Sequence, residues 1–332
     1  MNSNAIEPSR NAHGAADAAA VGASSVLLRN LIDYAGLFPP ASLSMYDAVA
    51  NYDLYSRSEH SWILGRFIVP ATRLAECADA TARPRNERDG APSPKGLSVL
   101  LGADFLSDIA RIREFNAHYN SRRGHEAESA PVQSKVQSVE VKIGSPAEVE
   151  RISRALPAEL ETYLEIPWSN DGASNLMHDC IAAVADCGRR AKLRTGGETA
   201  DKFPAPATVL EFIRLCAEFN VPFKATAGLH HPLRSRHRLT YQPDSPSGTM
   251  HGFLNVFLAS AFLHAGMEPA LALDLLNEQS ADAFEFGAAS VAWRNHQLSA
   301  DDLAATRESF AISFGSCSFT EPIDDLRALK LL

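Results

Sequence analysis

Between positions 65 and 319 the chain alternates eight short apolar runs with longer amphipathic ones. The runs are GRFIVP (65–70), GLSVLLGA (96–103), SVEVKIG (138–144), ETYLEIPW (161–168), RAKLRTGG (190–197), PFKATAGL (222–229), AFEFGAASVAW (283–293) and AISFGSCSF (311–319). Stretches such as PAEVERISRAL, ATVLEFIRLCAEF and SADDLAATRESF follow them, with apolar residues at helical spacing. Parallel strands need a crossover connection, and a helix supplies it, so this rhythm limits the fold more than composition does. Eight strand–helix units in about 270 residues predict one α/β domain over 26–332, a (β/α)8 TIM-type barrel with an N-terminal extension. A doubly wound open sheet is the runner-up. Neither G-x-G-x-x-G after a first strand nor G-x-x-x-x-G-K-[ST] is present to support a nucleotide-binding version of it.

Residues 1–25 are rich in Ala, Ser, Asn and Gly without periodicity and read as a disordered extension. RPRNERDGAPSPK (83–95) and SRRGHEAESAPVQSK (121–135) read as polar insertions, because the periodic pattern resumes after each. HGFLNVFLASAFLHAG (251–266) is apolar all round, which predicts a buried helix. LSMYDAVANYDLYSRS (43–58) predicts an extra helix ahead of the first strand. DYAGLFPPA (33–41) would then be a packed irregular segment closing one end of the barrel.

Composition narrows the partners. A formal net charge of −9 argues against nucleic acid or an anionic membrane. Five cysteines without C-x-x-C spacing fit reduced thiols. The first residues lack the charged and apolar regions of a signal peptide and no run reaches membrane-spanning length, so cytoplasm is the expectation. A homo-oligomer is compatible with all of this.

Alternate residues of a barrel strand face the axis and the helices in turn. With Val139, Val141, Leu164, Ile166, Ala191, Leu193, Phe223 and Ala225 facing the helices, Glu140, Lys142, Glu165, Lys192, Arg194, Lys224 and Thr226 face the axis. In AFEFG the same rule turns Glu285 inward. Buried charges without partners cost several kcal/mol each, so these groups must neutralise one another, and such an axis is better explained by an active site at the C-terminal strand ends than by stability.

A lysine among cations in a water-poor pocket has a depressed pKa and attacks carbonyls to form a Schiff base. Lys224, with Lys192 and Arg194 on the neighbouring strand, suits that role. Glu165 or Glu140 would serve as general acid and base, and Lys142 completes the catalytic set. The substrate would be a small anionic carbonyl compound, and no cofactor is needed.

FKATAG resembles the sixth-strand motif of deoxyribose-phosphate aldolase and related class I aldolases, where K-T-S-T-G carries the Schiff-base lysine. The resemblance covers the six residues of FKATAG and implies an aldolase or lyase acting through Lys224. That family also has a lysine-plus-Gly-Gly strand after the Schiff-base strand, whereas the similar KLRTGG precedes it here. The chain as a whole resembles an uncharacterised bacterial (β/α)8-barrel family, through DYAGLFPPA, KLRTGG, KATAGLHHP and SFGSCSF.

Two other readings stay open. His231 and His251, with Glu165, could ligate zinc or manganese at the barrel mouth, which would make the protein a metal-dependent lyase or hydrolase. The barrel could instead bind a small molecule without catalysis. The loop PLRSRHRLTYQPDSPSGTM (232–250) carries Arg234 and would form a lid over the site, beside His230 and His231. Gly196, Gly197 and Ser316 sit at predicted strand ends whose backbone N–H groups could hold an anion, and Cys317 reads as a packed thiol.

Overall fold

Branched and aromatic runs fold into eight parallel strands: β1 (Ile32–Tyr34), β2 (Leu64–Pro70), β3 (Leu97–Leu100), β4 (Val136–Lys142), β5 (Glu161–Glu165), β6 (Arg190–Arg194), β7 (Phe223–Thr226) and β8 (Ala311–Ser316). They close in the order β1-β8-β7-β6-β5-β4-β3-β2, with helices alternating between them, so the chain is a (β/α)8 barrel. The computed structural model describes residues 22–82, 94, 96–125, 135–170 and 175–332. Most of the predicted disordered extension and most of the two polar insertions lie outside these residues. Ala23–Leu28 is helical, and 121–125 continue the helix Phe105–His125.

Helix starts follow local capping chemistry. Ser145 accepts the Glu148 N–H with Pro146 at the first turn, and Ser299 accepts the Asp302 N–H at 3.0 Å. The outward strand residues Val139, Val141, Leu164, Ala191, Leu193, Phe223 and Ala225 are buried under these helices, as their alternation predicts. Phe253–His264 is a helix with buried residues on every side, also as predicted. Among the described residues no helix is long and apolar enough to cross a membrane.

The strand count is shifted from the sequence reading. The first strand is Ile32–Tyr34, overlapping the start of the segment expected to be irregular, and it pairs with β8 and β2. Met45–Ser56 therefore follows β1 as the helix of the first unit. AFEFGAASVAW is not a barrel strand. It folds back on itself around Gly287 as Phe284–Phe286 and Ser290–Trp293, which join His296–Ser299 in an antiparallel sheet outside the barrel. Lys192 consequently lies on the sixth strand and Lys224 on the seventh.

Candidate active site

The register of β4 to β7 stacks the charged residues at one level. Lys142 pairs with Glu165, Glu165 with Lys192, and Lys192 with Lys224 across successive strands. Period-two alternation turns Glu165, Lys192 and Lys224 inward, where they meet Glu140 from one layer below. The result is a chain of ion pairs. Lys224 Nζ donates to Asp33 at 2.6 Å and to Glu140 at 2.7 Å. Lys192 Nζ donates to Glu140 at 2.9 Å and lies 2.8 Å from Glu165. Arg194 Nε lies 3.6 Å from Glu165 at the outer end. Three carboxylates thus face three cations, the mutual neutralisation that burial requires.

Ser98 and Ser313 complete the donor set. Ser98 Oγ donates to Glu140 at 2.7 Å, and Ser313 Oγ donates to Asp33 at 2.9 Å. The Arg66 N–H reaches the other oxygen of Asp33 at 2.7 Å, and the Tyr163 ring lies 5.4 Å from Lys224 Nζ.

This geometry reverses the expected pKa of Lys224. Burial alone would lower it, but Asp33 and Glu140 outweigh burial and raise it above the ordinary lysine value. Lys192 is raised in the same way by Glu140 and Glu165. Burial opposes ionisation of Glu140, yet the two ammoniums hold it well below the usual carboxylate range. Glu165 is also lowered: burial would raise it, and Lys192 with Arg194 prevails.

Above the chain, at the C-terminal strand ends, lies a cavity of about 210 Å³. Lys192, Glu165, Glu140, Arg194 and Thr226 contribute to its wall, and Gly197 and His230 line it. Lys224 does not line it. It is fully buried beneath, clamped by its two carboxylates. A larger cavity, about 520 Å³, opens at the opposite end, but the half-buried Arg66 and the buried Arg307 there are already occupied. Arg66 is held by Glu161 and Gln137, and Arg307 by the carbonyls of Leu27, Arg29, Ala311 and Ile312.

Other predicted residues are placed as follows. The lid is a β-hairpin, Ser235–Arg238 with Ser247–Met250, and its Leu239 and Met250 reach the cavity. Arg234 turns away from the cavity, its Nη1 3.4 Å from His251 Nδ1. Lys142 is exposed at the end of β4. Gly196 packs its backbone against Gly228 so closely that an added methyl would lie 2.7 Å from the Gly228 Cα, and it does not line the cavity. Ser316 is buried, and its Oγ accepts the Ser318 N–H at 3.3 Å.

Two sets of predicted residues are not brought together at the axis. Glu285 is exposed on the outer antiparallel sheet, remote from the axis, because its run pairs with its own hairpin partner. The proposed metal ligands do not converge. His231 Nδ1 donates to Asp325 at 2.6 Å, His251 donates to the Pro204 carbonyl at 2.8 Å, and Glu165 stays with Lys192. Among the described residues no group of three or more His, Cys, Asp or Glu side chains is arranged to hold a metal ion.

Sequence reasoning missed Asp33 and the apolar wall formed by Phe38, Pro39 and Pro40, all from DYAGLFPPA. The I-D-Y alternation at 32–34 was the available signal, a charge flanked by two outward apolar residues.

No family model matches this chain, and no curated protein matches it. Among solved structures, it is similar to the tetrameric deoxyribose phosphate aldolase of Aeropyrum pernix. The sequence identity is 12% and the TM-score 0.38, over 63% of this chain and 80% of that one.

Proposed function

We propose that this barrel is a lyase of aldolase type that acts on a small anionic carbonyl compound through the amine of Lys192. The observation that carries this reading is the position of Lys192 in the cavity wall, 2.8 Å from Glu165, while Lys224 lies fully buried beneath it. The resemblance of FKATAG alone points to Lys224, but strand order moves the correspondence to Lys192. In K-T-S-T-G the Schiff-base lysine is on the sixth strand, and the sixth strand here reads K-L-R-T-G from Lys192 to Gly196. The lysine-plus-Gly-Gly strand that follows it in that family then corresponds in position to FKATAG, which carries Lys224 but a single glycine, Gly228.

The chemistry balances within the site. Glu165 takes one proton from the Lys192 ammonium, and the free amine attacks the carbonyl carbon. Two of the three ammonium protons end on the carbonyl oxygen, which leaves as water, and the third stays on the iminium nitrogen. The iminium accepts the electron pair of the breaking carbon–carbon bond while Glu165 takes the proton of the β-hydroxyl, releasing an aldehyde and leaving an enamine. That proton then returns to the enamine carbon, and water hydrolyses the iminium to regenerate Lys192. Lys224 acts as a positioning residue, fixing Glu140 and through it the Lys192 ammonium.

Borohydride reduction with carbonyl compounds, followed by peptide mapping, tests the assignment. A covalent adduct on Lys192 that is abolished in Lys192→Arg is expected, since arginine keeps the charge but forms no Schiff base. An adduct on Lys224, or none with any carbonyl compound, overturns it.

A further inference from the structure

We infer that the carbonyl compound is a short oxo acid with an apolar body, its carboxylate seated on Arg194, rather than a phosphorylated sugar. This inference rests on the amine reading above.

The cation supply of the cavity sets the first limit. A phosphate carries a charge of about −1.5 to −2 and three strong acceptor oxygens, so it needs several donors. The cavity wall offers one guanidinium, Arg194 at the outer end of the ion chain, and sets Glu198 in the same wall. The hairpin does not make up the deficit. Arg234 is turned toward His251, and Arg236 and Arg238 are exposed and absent from the wall. A monoanionic carboxylate matches a single guanidinium fork. Arg194 is free to take one: Nη1 donates to the Gly196 carbonyl at 3.2 Å, Nε lies a long 3.6 Å from Glu165, and among the described residues Nη2 has no partner.

Spacing sets the second limit. Lys192 and Arg194 are two residues apart on one strand and face the same side. Glu165 already touches both, one oxygen 2.8 Å from Lys192 Nζ and the other 3.6 Å from Arg194 Nε. The gap between the two cations is therefore spanned by a single carboxylate, and a carbonyl placed next to a carboxylate group spans it equally.

The opposite wall sets the third. Phe38, Pro39, Ile68, Leu100, Leu239 and Met250 line it. Sugar hydroxyls placed there would give up water without gaining partners, whereas an alkyl or aryl body is favoured. The volume of about 210 Å³ equals roughly seven water molecules at their liquid density. Binding also primes the amine. When Arg194 turns to the substrate carboxylate, Glu165 loses one of its cations, becomes more basic, and takes the proton from Lys192.

The test compares borohydride trapping rates on the full chain for pyruvate, 2-oxobutyrate and 4-methyl-2-oxopentanoate with those for butanone, dihydroxyacetone phosphate and 2-deoxyribose 5-phosphate. The oxo acids are expected to label Lys192 roughly 10–100-fold faster, the weight of a charge-assisted hydrogen bond, with the branched acid ahead of pyruvate. Arg194→Gln should bring the ratio of 2-oxobutyrate to butanone close to one, and Arg194→Lys, which keeps charge but not the fork, should fall between. Equal or faster labelling of Lys192 by the phosphorylated compounds, or an undiminished ratio in Arg194→Gln, overturns the inference and leaves the amine reading standing. Absence of a Lys192 adduct with every compound removes the amine reading and this inference together.

Discussion

Lys192 and Lys224 hold the two oxygens of one carboxylate. Lys192 Nζ donates to Glu140 Oε2 at 2.9 Å, and Lys224 Nζ donates to Glu140 Oε1 at 2.7 Å. The two lysines are also register partners across β6 and β7. Glu140 is thus the hinge of the whole charge chain, with Asp33 behind Lys224 and Glu165 in front of Lys192.

Removing that hinge leaves two buried ammoniums facing each other. Glu140→Gln is expected to lower unfolding free energy by about 3–5 kcal/mol, the usual consequence of stripping one partner from a buried pair. Denaturant titration measures it. Lys224→Met alone should be similarly costly, because Asp33 and Glu140 lose their shared cation. Combining it with Asp33→Asn should recover at least about 1 kcal/mol of the summed losses, since contacting partners are not additive. Strict additivity would show that the chain is not coupled.

Stability should be flat near neutral pH and fall at both extremes. Glu140 is lowered below its ordinary value of 4.5, so the unfolded chain binds a proton that the native state refuses. That contribution is complete above pH 4.5 and is lost as pH falls through the native value. Lys224 is raised above 10.5, so its contribution is complete below pH 10.5 and is lost as pH rises through the native value. Equilibrium unfolding across pH checks both limbs, and Glu140→Gln should flatten the acid one.

His251 gives a separate acid signature. Its Nε2–H donates to the Pro204 carbonyl, and burial is the main reason its pKa falls to about 4 from 6.5. Between those values the unfolded state takes a proton that the native ring does not, so stability decreases as pH drops across the interval. NMR should show the His251 ring neutral well below pH 6 and titrating near 4. A midpoint near 6.5 would contradict the buried, neutral ring.

Period-two alternation was sufficient to turn Glu140, Glu165, Lys192, Arg194 and Lys224 toward one axis, because the direction of a strand side chain is a local property of the backbone. Seven of the eight barrel strands were likewise legible as separate runs, since each unit carries its own periodicity. AFEFG reads as a barrel strand and DYAGLFPPA as an irregular segment for the converse reason. Both hold short runs of barrel-like composition, and only pairing with distant strands put Asp33 in the barrel and Glu285 outside it. The sign of the lysine pKa values was beyond local reasoning too. Asp33 lies 191 positions from Lys224 in the chain. Without it Lys224 looks like a cation among cations, and with it the amine is clamped. Coulomb energies follow distance in space, so closure of the barrel decided that both lysines are held charged, and that Lys224 lies below the cavity while Lys192 faces it.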